Sequence, residues 1–248
     1  MVKKIKKNKQ ITRRKVNEEE ISIFSSKIIK KDEKQLIWLF IIVILVFASF
    51  FIPYYYIQSK KTFSFAGADW TIEVYKMFKV YHGIFPALNG ANLTYNIFLR
   101  NDPRKNNVSA EGTFLEFRRG TYISLSEEVN DCRGEIPRIM IDLAVFLNKG
   151  VGAGSVSPAA STKEFSEKSG MSFANCSYPL ERTIIIIEKS NESKVIQSME
   201  NSNCYTISIS NCEDILPIEK FMVTIMSSVN DAFDKAEKKL INAKNESK

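Results

Sequence analysis

The sequence predicts an α+β protein in which a single N-terminal transmembrane helix is followed by one ectodomain with a mainly antiparallel sheet covered by helices. Three observations favour this class. An uncharged apolar run fills residues 36–57, strand-forming segments recur between residues 70 and 210, and an amphipathic helical pattern begins near Leu216. The four cysteines all follow the apolar run, as expected of a domain on the oxidising side of a membrane.

The apolar run is long enough to cross a bilayer as a signal anchor. A helix over residues 36–57 measures about 33 Å, against a hydrocarbon core of about 30 Å. Trp38 and the tyrosines at 54–56 suit the two membrane interfaces. A cleaved signal peptide is the alternative, but its apolar region would be about 7 to 15 residues long. A pilin-type leader would need a glycine where the chain has Lys34 and Gln35.

Charge predicts the orientation of this helix. Residues 1–35 hold twelve Lys and Arg against five Asp and Glu, so this tail carries the whole formal net charge of +7. The positive-inside rule places the tail in the cytoplasm and residues from about 58 onward outside the cell membrane. We expect a mostly disordered tail with membrane lipid as its partner rather than cytosolic RNA or protein, and we expect no nucleic-acid partner.

The remaining chain divides by composition into three segments. Residues 58–67 are predicted to be a juxtamembrane linker, residues 68–240 one extracytoplasmic domain, and residues 241–248 a frayed C-terminus. Alternation and β-branched residues predict strands at 70–75, 92–99, 114–117, 121–125, 182–188 and 205–210. Residues 194–199 are either a strand or a short helix, and residues 101–107 form a loop.

Two helices are predicted in the domain. The first covers residues 137–149, with Pro137 at its first turn and Gly150 as a C-terminal cap. The second runs from about Leu216 to Leu240 and should lay its apolar side on the sheet. The glycine-rich residues 150–158 are interpreted as a flexible connector, because a phosphate-binding loop would follow a strand and open a helix.

The cysteines are predicted to form two disulfides. Zinc or free thiols are the alternative, but structural zinc sites usually contain a C-x-x-C pair, which this sequence lacks. If residues 205–210 are extended, Cys204 and Cys212 lie about 26 Å apart, too far for a disulfide. Cys176 and Cys204 each precede a strand at the same end of the sheet. We therefore expect the pairs Cys176–Cys204 and Cys132–Cys212.

Glycosylation is a further expectation. The chain has five N-x-S/T sequences, of which Asn107 and Asn191 lie in predicted loops. These two are the expected acceptors in a host that glycosylates exported proteins. Asn175 directly precedes a cysteine and is expected to be too confined.

The sequence contains no recognisable catalytic constellation, and we expect neither a cofactor nor a metal site. His82 is the single histidine and is interpreted as structural. We expect a binding or surface-assembly module, using sheet edges or the C-terminal helix to contact an envelope protein. The alternative is a hydrolase of envelope polymers, which needs two carboxylates about 5 to 9.5 Å apart. Its candidate carboxylates are Asp69, Glu73, Glu111, Glu116 and Asp142.

Overall fold

A computed structural model describes residues 36–59, 61–76, 78–86, 94–177 and 181–246. The chain divides into two compact units, residues 1–60 and residues 61–248. The expectations for the basic tail, residues 1–35, lie outside the described residues, as do the first two residues of the strand predicted at 92–99.

The first unit contains helix α1, Leu36–Ser59, which corresponds to the predicted apolar helix. Its mean hydropathy reaches 2.9, and none of that apolar stretch is buried against protein. In the described part of the chain it is the one helix long and apolar enough to cross a membrane. Large exposed apolar surfaces of this kind are typical of segments that contact a partner or a membrane.

The second unit begins with an antiparallel sheet, named here the N-terminal sheet. Its strands are β1 (Thr62–Phe65), β2 (Ala68–Tyr75), β3 (Phe78–Pro86) and β4 (Thr94–Leu99), in that spatial order. Side chains alternate between two faces, as the pleat requires. Trp70, Phe85 and Ile97 are buried on the inner face, whereas His82, Ile84 and other side chains on the opposite face are not.

The remaining described strands form a larger, mixed sheet. They are β5 (Ser109–Glu111), β6 (Thr121–Leu125), β7 (Val156–Ala160), β8 (Ser172–Phe173), β9 (Thr183–Lys189), β10 (Lys194–Gln197) and β11 (Cys204–Ile209). Their spatial order is β5-β10-β11-β9-β6-β7-β8. The β10–β11 pair is antiparallel, and the other described pairs of this sheet are parallel.

Helices connect and cover the strands. They are α2 (Glu127–Asn130), α3 (Glu135–Val145), α4 (Lys163–Ser169) and α5 (Leu216–Glu246), with a 3₁₀ turn at Pro103–Lys105 and a π turn at Phe146–Val151. One hydrophobic core contains Trp70 of the N-terminal sheet, Ile207 of the mixed sheet, Leu143 of α3 and Phe221 of α5. Both sheets therefore pack around the same interior.

The predicted α+β class is confirmed, with a C-terminal helix on a sheet. The larger sheet is mixed rather than mainly antiparallel, because α2 with α3 carries the chain from β6 to its parallel neighbour β7 and α4 carries it from β7 to β8. Such crossovers return the chain to the end of the sheet where it started.

Several element boundaries differ from those predicted. The predicted linker at 58–67 contains β1, and the connector at 150–158 contains the start of β7. Residues 114–117 do not form a strand, since Phe114 has a φ of +51° and its N–H donates to the side-chain oxygen of Gln197. The helix predicted at residues 137–149 is α3, which ends at Val145 and is followed by the π turn.

The structure also defines the segment that the sequence left as either strand or helix and the C-terminal end of α5. Residues 194–197 form strand β10 rather than a helix. The C-terminal helix continues to Glu246, past the predicted end at Leu240, and good helix formers such as Ala and Lys in that stretch favour the extension. Its buried methionines, Met222 and Met226, are part of the core.

Candidate functional site

The C-terminal ends of the parallel strands are a common position for ligand-binding sites. Open α/β sheets bind ligands where the strand order reverses, which here is between β6 and β9. At this point the Ser126 N–H donates to the carbonyl of Ile187 at 3.0 Å, and α2 packs against β9. Helix α2 therefore lies beside the crevice that would receive a ligand.

Two disulfides lie in the described residues. Cys132–Cys212 joins the α2–α3 connection to the β11–α5 connection, with a Cα–Cα distance of 5.3 Å. Cys176–Cys204 joins the segment before β9 to the first residue of β11, at 5.6 Å. These are the pairs expected from the strand order. In the described part of the chain, no group of three or more His, Cys, Asp or Glu side chains is placed to hold a metal ion.

An apolar cavity of about 310 Å³, named here the α3 groove, lies between α3 and strands β6 and β7. Its floor includes Ile123 and Val156, and Ile141 on its rim has a relative exposure of 66%. The lining residues are Ile123, Leu125, Val129, Asn130, Cys132, Ile136, Pro137, Met140, Ile141, Ala144, Val156, Ser157 and Pro158. A volume of this size is typical of small-ligand or side-chain binding sites.

The lining of the α3 groove is mainly apolar. Among the described residues that line it, none is an Asp, Glu, Lys, Arg, His or Tyr. Its polar groups are the side chains of Asn130 and Ser157, and Cys132 is held in a disulfide. A serine needs a neighbouring base to act as a nucleophile. The groove is therefore suited to apolar groups, with two polar side chains able to orient them.

A smaller cavity of about 150 Å³ lies between α5 and the segment after β4. It is lined in part by Glu219, whose side chain is buried at 1% exposure. The carboxylate accepts hydrogen bonds from the backbone N–H of Arg100 at 2.6 Å and the side-chain amide of Asn101 at 2.9 Å. Burial raises the pKa of Glu219 to about 7, although these donors act in the opposite direction.

The five candidate carboxylates are spread over four parts of the fold. Asp69 and Glu73 lie four residues apart on β2, Glu111 on β5, Glu116 in the loop before β6 and Asp142 on α3. Four have local partners: Ser64 for Asp69, Tyr75 and His82 for Glu73, Ser202 for Glu116, and Arg138 for Asp142. None of the five lines the α3 groove or the Glu219 cavity. Glu219, the acid with the raised pKa, was not among the candidates.

His82 is in the middle of β3 rather than at a strand end. Its Nδ1 lies 3.0 Å from Glu73 Oε1 and its Nε2 lies 2.9 Å from Asn96 Oδ1. The ring stacks on Phe98 with centroids 4.5 Å apart. Both ring nitrogens are engaged across three strands, which agrees with a structural role.

The exposure of the asparagines in the N-x-S/T sequences differs between the sites. Asn107 and Asn191 are exposed, in the segment before β5 and the turn before β10. Asn175 is half-buried, and its side-chain oxygen accepts a hydrogen bond from the Ser177 N–H.

The geometry thus defines an α+β domain with an apolar groove, preceded in the chain by an apolar helix. Comparison with protein-family models, curated proteins and solved structures gives no match to this chain. Sequence reasoning missed the α3 groove, although two consecutive apolar residues, Met140 and Ile141, widened the predicted helix face. It also missed Glu219, an acid within an otherwise apolar helical stretch.

Proposed function

We propose that this chain is a single-pass cell-membrane protein that presents a non-catalytic binding domain outside the cell. The α3 groove carries the proposal, because it is an apolar cavity and the described residues that line it offer no acid or base. The proposed partner is an envelope protein that places an apolar segment in the groove. The polar side chains of Asn130 and Ser157 would fix the position of that segment.

The membrane location is supported by two independent features. α1 is apolar and at least as long as a bilayer core, and disulfides persist in oxidising compartments. The twelve basic residues of the tail favour a cytoplasmic N-terminus. The domain would then lie on the extracytoplasmic side with both disulfides intact.

Reporter fusions test the orientation. A reporter that is active only outside the cytoplasm, fused after Lys248, should be active with the natural chain. A control chain in which the Lys and Arg residues of the tail are replaced by Gln should lose this fixed orientation. A C-terminal reporter that is active only in the cytoplasm would contradict the proposal.

Site-directed photocrosslinking tests the groove. A benzoylphenylalanine at Ile141, on the rim, should give a discrete protein adduct in membranes that contain the full chain. The matched control is the same probe at Phe233, an apolar residue of α5 with 54% exposure. Ala144→Arg, which fills the groove, should abolish the adduct while the Cys132–Cys212 disulfide still forms. Equal adducts from both probe positions would argue against a specific groove.

A further inference from the structure

The β2–β3 hairpin exposes a cluster of apolar and basic side chains, named here the hairpin tip (residues 74–76, 78 and 79). Val74, Tyr75 and Phe78 have relative exposures of 62%, 49% and 48%. The rings of Tyr75 and Phe78 stack across the hairpin with centroids 5.8 Å apart. Lys76 and Lys79 are exposed beside them. Contiguous exposed apolar patches often mark a surface that contacts a protein or a membrane.

The strand register gives the direction in which the hairpin tip points. Thr62, the first residue of β1, pairs with Thr71 of β2. From that pair β2 continues for four residues to Tyr75, which corresponds to about 13 Å of extended chain. The tip therefore projects beyond the point where the chain enters the domain, on the side from which it enters.

The connection to α1 is shorter than this projection. α1 ends at Ser59 and β1 begins at Thr62. Three residue steps span at most about 10 Å. A tip that reaches about 13 Å past the start of β1 can therefore reach the membrane surface from which α1 emerges.

We propose that the hairpin tip is a second membrane contact, which places Val74, Tyr75 and Phe78 in the outer interface of the bilayer. This inference rests on the proposed function, since it requires α1 to span the membrane. Aromatic side chains favour the bilayer interface, and the two lysines complement anionic headgroups. The Arg100 guanidinium, 4.3 Å from the Phe78 ring centroid, adds a further positive charge next to the tip. The lipid contact would fix the orientation of the domain at the membrane.

Tryptophan quenching in proteoliposomes of the full chain provides the test. The vesicles contain phosphatidylcholine and phosphatidylglycerol, with spin-labelled lipids that quench near the glycerol or near the chain end. In a Trp38→Phe background, Trp70 is a constant signal because it is fully buried. Phe78→Trp then reports the hairpin tip. Met199→Trp, at a fully exposed apolar position in the turn between β10 and β11, is the matched control.

The expected result is loss of Phe78→Trp emission with the shallow quencher, and no loss for Met199→Trp. Quenching of native Trp38 in the unmodified chain reports separately on α1. Unquenched Phe78→Trp with quenched Trp38 would overturn the hairpin contact while the anchor stands. Unquenched Trp38 would overturn both the hairpin contact and the membrane anchor. An emission change that follows the protein-to-lipid ratio instead of the quencher would assign the tip to a second copy of the chain and overturn the lipid contact.

Discussion

Glu219 of α5 accepts a 2.6 Å hydrogen bond from the backbone N–H of Arg100, the residue that follows β4. This contact fastens the end of the N-terminal sheet to the first turns of the C-terminal helix. The carboxylate is buried, and this burial raises its pKa to about 7.

The first prediction concerns stability and pH. Between pH 4.5 and 7 the folded protein holds a proton on Glu219 that the unfolded chain has released, so the free energy of unfolding should fall as pH rises. The loss should be on the order of 2 to 3 kcal/mol. Urea unfolding of the full chain in detergent at pH 5 and pH 8 measures it. Glu219→Gln should flatten this dependence.

The control for this prediction is Glu213→Gln, which alters an exposed carboxyl in the loop before α5. It should leave the pH dependence of unfolding unchanged. If Glu219→Gln and the natural chain have the same slope, the pKa of Glu219 is not raised by folding and the prediction is wrong.

The second prediction concerns the packing of Gly83 beneath Trp70. These residues pair across β2 and β3, and a Cβ added at Gly83 would lie 2.9 Å from ring atoms of Trp70. Gly83→Ala should therefore destabilise the fold by about 1 to 3 kcal/mol. The double variant Gly83→Ala/Trp70→Phe should be less destabilised than the sum of the two single changes, because the smaller ring leaves room. Strict additivity of the unfolding free energies would contradict this contact.

The third prediction concerns the disulfides. Replacing Cys132 and Cys212 by Ala opens a loop with a sequence separation of 80 and should cost about 4 to 5 kcal/mol. The same change at Cys176 and Cys204, with a separation of 28, should cost about 3 to 4 kcal/mol. Denaturant unfolding with and without reductant measures both. A non-reducing peptide map with Cys204 bonded to Cys212 would refute the pairing.

The fourth prediction concerns glycosylation. In a host that glycosylates exported proteins, Asn107→Gln and Asn191→Gln should each remove one glycosidase-sensitive mobility shift, because both side chains are exposed. Asn175→Gln is the comparison, since that side chain is half-buried and hydrogen-bonded to its own loop. Identical mobility of the natural chain before and after glycosidase treatment would show that neither sequon is used.

The strongly patterned elements were predictable from the sequence. β6, β9 and β11 contain β-branched and apolar residues that are buried on one or both faces, and the first half of α5 keeps a helical apolar period. The cysteine pairing was predictable because the strands that follow Cys176 and Cys204 begin at the same end of the sheet. These predictions depended on local periodicity and chain geometry alone.

Elements that depend on distant partners were missed. No strand was predicted between residues 75 and 92, yet Gly83 lies in β3 because the Trp70 ring fills the space that a side chain would occupy. The start of β7 was interpreted as connector because Gly, Ser and Pro do not signal a strand. Its hydrogen bonding to β6 holds this segment in the sheet. The α3 groove could not be predicted without β7, which forms part of its floor.

The shared interior of the two sheets has a consequence for how the domain unfolds. Trp70, Leu143 and Ile207 belong to one core, so separating the two sheets would expose apolar surface on both. The domain should melt in a single cooperative transition, and expression of residues 61–99 or 109–248 as separate fragments should give aggregated polypeptide.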